Sequence, residues 1–114
     1  MKSELSEKDI ERQILEFLET LPDCFAWKQN TVGAPSGSGG YRLAKSRFIF
    51  RGVSDILGVF RGRAIAIEVK TRVGKVSPEQ EMFMENIRNH GGFAFVARSL
   101  DDAIRKMKEI SDEL

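Results

Sequence analysis

Glu68 and Lys70 close the run AIAIEVK at residues 64–70, a carboxylate and an ammonium two places apart at the end of an apolar stretch. Strand side chains alternate with period two, so both project from one face. A second strand-like run, DILGVF at 55–60, is joined to the first by Arg61-Gly62-Arg63. A two-residue turn at Arg61-Gly62, with Gly62 taking the positive φ, pairs Phe60 with Arg63. Counting back along both strands then sets Asp55 opposite Glu68. Two carboxylates and an ammonium meet at the open end of one hairpin. Adjacent carboxylates repel unless positive charge lies between them. A divalent cation removes that cost, and Mg²⁺ favours carboxylate oxygens together with water and phosphate oxygens. Lys70 then stabilises developing negative charge or helps place an attacking water. The plainer reading is a surface ion pair at a strand end, worth little energy, with Asp55 a turn acid.

The elements that must position these groups are readable from spacing. From Ser6 to about Leu21 the apolar residues Ile10, Ile14, Leu15, Phe17, Leu18 and Leu21 recur with a helical period. Ser6 suits the N-cap, Glu7 and Asp9 suit the first turn, and Pro22 suits the stop. Glu11 precedes Ile14, Leu15 and Leu18 by three, four and seven residues, so it shares their stripe. An acid there either reaches out to solvent at the core boundary or serves a site, and this helix can deliver it to the hairpin's open end. Glu7, one turn earlier, is the more exposed competitor. CFAWK at 24–28 reads as a strand, with Trp27 more often a core residue than a ring stacked on a base and Cys24 a buried small apolar group. The glycine- and serine-rich stretch at 31–40 reads as a mobile loop.

A second helix opens at Ser77, with Pro78 at its first position and Gln80 completing an S-x-x-Q capping box. Gly91 and Gly92 end it. FAFVA at 93–97 follows as a buried strand. LDDAIRKMKEI makes a last helix with Leu100, Ile104, Met107 and Ile110 on one side. The order is αβββαβα, an α/β chain with a mixed β-sheet of about four strands flanked by helices on both faces.

Composition narrows the chemistry. A chain of 114 residues suits one domain, residues 1–114, burying about two-thirds of its unfolded surface. One cysteine and one histidine exclude an internal disulfide and a Cys/His zinc site within the chain, and disfavour Ser-His or Cys-His catalysis. His90, near a helix end, reads as a partner for the helix dipole. No apolar run approaches the ~20 residues that span a bilayer, and the first residues carry no apolar signal region, so an intracellular, cytoplasmic protein with no membrane partner is expected. The phosphate-binding pattern G-x-x-x-x-G-K-S/T is absent, so no nucleotide cofactor is expected. The net charge of +1 hides a partition: residues 41–75 carry nine basic and two acidic side chains, +7, while each flank carries −3. Such a segment is either a solvated face or a surface for a polyanion. Its two acids are Asp55 and Glu68.

IERQIL (10–15), GVSDILGVF (52–60), AIEVK (66–70) and KVSPEQ (75–80) together resemble the VRR-NUC domain of the PD-(D/E)xK nuclease superfamily, in the family's order and over roughly residues 7–98. The resemblance implies a restriction-endonuclease-like core and a divalent-metal-dependent phosphodiesterase acting on DNA. Asp55 matches the motif aspartate, Glu68 and Lys70 the E-x-K pair, Glu11 the helix-one glutamate and Gln80 the following glutamine. Ser54 stands where the family more often has proline. On this pattern Asp55, Glu68 and the Val69 carbonyl hold one Mg²⁺ or Mn²⁺, and Glu11 helps hold a second or positions its water. Gln80 is either a site residue or only a helix cap. Arg42, Lys45, Arg47, Arg51, Arg72 and Lys75 are candidates for DNA-backbone contacts, and Tyr41 for stacking on a base. Small stand-alone members, of phage and bacterial type, resemble Holliday-junction resolvases acting as homodimers. The implied function is therefore a structure-specific endonuclease of branched DNA. A flap, fork or nicking nuclease on the same core, or a DNA-binding module without catalysis, are the alternatives.

Overall fold

Ser6 starts the first helix, α1 (Glu7–Glu19), as expected: its hydroxyl accepts from the Asp9 N–H, and the Asp9 carboxylate accepts from the Ser6 N–H. Ile10, Ile14 and Leu18 are the buried stripe of that helix. Then come β1 (Cys24–Lys28), β2 (Ile56–Phe60), β3 (Arg63–Val69), α2 (Pro78–Asn89), β4 (Phe93–Ala97) and α3 (Leu100–Glu113), the order read from the sequence. The computed structural model describes residues 5–29 and 48–114. The glycine-rich stretch at 31–40 and the candidates Tyr41, Arg42, Lys45 and Arg47 lie outside the described residues.

The four strands form one sheet in the order β1-β2-β3-β4. β1–β2 and β2–β3 are antiparallel, whereas β3–β4 is parallel because α2 carries the chain back across the sheet. The central hairpin has the expected register, with Phe60 opposite Arg63 and Ile56 opposite Ile67. Its turn differs in one respect. Both Arg61 (φ 51°) and Gly62 (φ 80°) are left-handed, as a two-residue turn matching the strands' own twist requires.

Alternation splits the sheet into two faces. Ile56, Phe60, Ile65, Ile67, Val69, Phe95 and Ala97 pack with the stripe of α1 and with Ala103, Met107 and Ile110 of α3, which is the main core. On the opposite face α2 lies over β3 and β4, burying Met84. The β1–β2 half of that face has no helix among the described residues. Trp27, expected in the core, is therefore 40% exposed there, tilted against Phe25 at 5.5 Å between ring centres. Cys24 faces α1 and is half-buried. In α3 the expected stripe shifts by one residue: Ala103 is buried and Ile104 is 41% exposed, because the contact row runs through Ala103, Met107 and Ile110. Among the described residues no helix is long and apolar enough to cross a membrane.

Candidate active site at the open end of the hairpin

Asp55 stands one residue before β2, where pairing runs on past the last strand residue. The Gln29 N–H donates to the Asp55 carbonyl at 2.7 Å, and Asp55 Oδ2 accepts from the Val69 N–H at 2.8 Å. One step beyond the Ile56–Ile67 pair, the register sets Asp55 across from Glu68. Sequence reasoning and structure agree on that juxtaposition.

Glu68 is 2% exposed, an unusual location for a carboxylate. Its Oε2 accepts from Gln80 Nε2 at 2.9 Å and lies 3.9 Å from Lys70 Nζ. Ionised, it leaves Oε1 buried with no hydrogen-bond partner. Burial raises its pKa to about 8. The Asp55 charge and the bond a proton allows toward Asp55 push the same way, as does Glu7, while Lys70 opposes them. Ser54 Oγ, beside Asp55 in sequence, is the other buried oxygen without a partner among the described residues.

The Gln80 side chain both caps its helix and contacts Glu68, because its two amide atoms do different things. Oε1 accepts from the Ser77 N–H at 2.9 Å, completing the capping box, while Nε2 holds Glu68. Lys70 continues the line of β3, donating its N–H to the Ala97 carbonyl at 3.1 Å. Its side chain is only 13% exposed.

A cleft of about 210 Å³ opens over Asp55 and Val69 and is walled by Glu7, Lys8, Glu11, Lys28 and Gln29. Glu11 and Glu7 both reach it from α1. Glu11 Oε1 lies 3.3 Å from Lys28 Nζ, which holds it as an ion-pair partner. Among the described residues no group of three or more His, Cys, Asp or Glu side chains is arranged to hold one ion. The close carboxylates are the pair Asp55 and Glu68. A larger groove of about 750 Å³ along α1 and β1 shares Lys8, Glu11 and Lys28 with the cleft but not Asp55, and Glu68 and Lys70 line neither.

The donor set fits a hard divalent cation. Mg²⁺ is commonly held by one or two carboxylates, with water and phosphate oxygens completing its shell. Once Glu68 ionises, its buried Oε1 is an anionic oxygen without a hydrogen-bond partner. Of the basic candidates, Arg51 is exposed in the loop leading to Asp55, and Arg72 and Lys75 are exposed in the segment after Lys70. Three residues that support the site were not singled out from sequence. Gln29 extends the ladder to Asp55. Gly52, at φ +75°, lies against the first turn of α2, and a glycine three places before the motif aspartate was a usable signal for it. Arg98 bonds the segment after Lys70; its partners lie 24 to 27 residues earlier, so no local pattern marks it.

Comparison with known proteins identifies the family and the fold. The family model of the VRR-NUC domain matches residues 6–101. The fold is similar to that of a solved VRR_NUC domain protein, with a TM-score of 0.67 over 93% of this chain and 88% of that one. At 14% identity this likeness carries the fold alone. No curated protein matches the sequence.

Proposed function

This chain belongs to the VRR-NUC domain family and is a nuclease-like domain, and on that premise we propose that it is a divalent-metal-dependent endonuclease hydrolysing phosphodiester bonds of branched DNA, such as four-way junctions, as a homodimer. The observation that carries the reading is Glu68: a buried carboxylate with one oxygen unpartnered, set against Asp55 and held by Lys70 and Gln80. A domain that only bound DNA would gain affinity by losing both acids.

Asp55 and Glu68 would hold a Mg²⁺ or Mn²⁺ ion, with the Val69 carbonyl as a further ligand and Glu11 serving a second ion or its water. Such an ion, when bound, supplies a water of lowered pKa and positive charge opposite the phosphate oxygens. The remaining work belongs to the chain. The Val69 N–H fixes the Asp55 carboxylate, and the Gln80 amide fixes Glu68. Lys70 orients the nucleophile and offsets negative charge gathering on the phosphate. Arg51, Arg72 and Lys75 take the strand by its backbone, which positions DNA without reading its sequence. A second copy would present two such sites to one branched substrate, and the exposed Phe25, Trp27 and Val59 offer apolar area for contact.

The test is cleavage of labelled four-way junction, flap and plain duplex with Mg²⁺, Mn²⁺ or EDTA, by wild type and Glu68→Gln, with mass in solution measured by light scattering. Metal-dependent cutting of the junction by a dimer, lost in the variant, is the expected result. Cutting spread over all substrates would retain the nuclease and remove the junction preference. No cutting under any condition by a folded protein that still binds DNA would make it a binding module.

A further inference from the structure

β3 ends at Val69 and α2 begins at Pro78, so Lys70 is the first residue of an irregular connection. A long ammonium side chain has much rotamer freedom, so something must restrain it if its head is to stay at one place. The restraint begins in the turn that follows. The Gly74 N–H donates to the Thr71 carbonyl at 3.2 Å. A Cβ added at Gly74 would stand 3.3 Å from Lys70 Cδ and 3.4 Å from Thr71 Oγ1. The turn therefore folds its last residue against the stem of Lys70.

That turn is held from the far side of the fold. Arg98 Nη1 donates to the carbonyls of Thr71 at 2.7 Å and Gly74 at 2.8 Å, with the Arg72 carbonyl at 3.3 Å. The nitrogen carries two hydrogens, enough for the two short bonds, and bonds from a charged donor are about twice as strong as neutral ones. Arg98 is in turn fixed by α3: its backbone N–H donates to Asp102 Oδ2 at 2.9 Å, and the Asp102 N–H is capped by Ser99 Oγ at 3.1 Å. The residue before it, Ala97, accepts from the Lys70 N–H. One dipeptide at the end of β4 thus holds both the backbone of Lys70 and the turn that covers its side chain.

We propose that Arg98 is a positioning residue for Lys70, acting through the Thr71–Gly74 turn. Its guanidinium bonds the carbonyls of the turn and neither Asp55 nor Glu68. Its work is to keep the Lys70 ammonium beside Glu68 rather than free in solvent. The consequence for catalysis rests on the function proposed above, whereas the consequence for Lys70 does not.

The experiment compares wild type, Arg98→Met and Arg98→Lys by competitive acetylation with limiting acetic anhydride, read by peptide mass spectrometry, with folding checked by circular dichroism. Lys28, half-exposed and paired with Glu11, is the internal reference. Lys70 is expected to acetylate about fivefold faster relative to Lys28 in Arg98→Met and about twofold faster in Arg98→Lys, whose ammonium cannot form the guanidinium's fixed fork. In the DNA-cleavage assay kcat is expected to fall at least about tenfold with KM nearly unchanged, because a misplacement near 1 Å is costly in the chemical step. Added guanidinium ion is expected to restore part of the kcat of Arg98→Met. Unchanged Lys70 acetylation in the folded variants would overturn the proposal and leave Arg98 a stability residue. If Arg98→Met does not fold, the Arg98→Lys ratio decides alone. Should the wild type cut no DNA, the proposed function falls while the acetylation ratio still decides whether Arg98 positions Lys70.

Discussion

At neutral pH the Glu68 carboxyl of the metal-free protein keeps a proton that an exposed glutamate would have lost, because burial and then the neighbouring Asp55 charge raise its pKa to about 8. In the unfolded chain the same group titrates near 4.5. Between those two values the folded state binds more protons than the unfolded state, so stability falls as pH rises through the window. The advantage is complete below the unfolded value and gone above the folded one, with a size on the order of a few kcal/mol. Urea unfolding from pH 5 to 9 in EDTA is expected to show wild type losing stability against Glu68→Gln, which ends the more stable of the two. Parallel curves would mean that Glu68 ionises like a surface acid. The location of this residue was legible in AIAIEVK, since a two-residue turn fixes the register. Its burial was not, because alternation tells which face a residue takes but not what covers that face. Gln80 was named from the sequence, but its double contact was not: one amide serves both a cap and a carboxylate, read there as alternatives.

Elements reach the site through close backbone approach as much as through side chains. Gly52 makes this measurable. A Cβ there would lie 2.4 Å from the Glu79 carbonyl carbon and oxygen and 2.6 Å from the Gln80 nitrogen, on a backbone already at φ +75°. Gly62 has a similar φ of +80° with nothing within 4 Å, so it isolates the cost of conformation. Gly62→Ala is expected to lose about 1–2 kcal/mol. Gly52→Ala should lose that plus about 1–3 kcal/mol of overpacking and also slow cleavage, since the added carbon presses the α2 turn that carries Gln80. Equal losses in chemical denaturation would show that the loop yields without moving α2. Caps, strands and hairpin register were legible because each is set within a few residues. Trp27 and Ile104 were misjudged because their exposure depends on where α2 and α3 cross the sheet, which no local period encodes.

On the scale of the whole molecule, the basic excess of residues 41–75 surrounds two acids, and the fold brings that pair to one end of the sheet. Arg51 precedes Asp55 and Lys75 follows Lys70, both exposed, so both are open to the backbone of a strand bound at the site. Such contacts release counterions and contribute a salt-dependence slope of about 0.7–0.9 per phosphate neutralised. Replacing Arg51 and Lys75 together by Gln is therefore expected to reduce the slope of log affinity against log salt by about 1.4–1.8 in metal-free buffer. The reduction should be the same for junction, flap and duplex, because phosphate contacts position DNA without distinguishing its sequence. A loss confined to the junction would instead make these two residues readers of branch geometry. An unchanged slope would shift the backbone contacts to Arg42, Lys45 and Arg47, and the approach of DNA would then be set from the segment between β1 and β2.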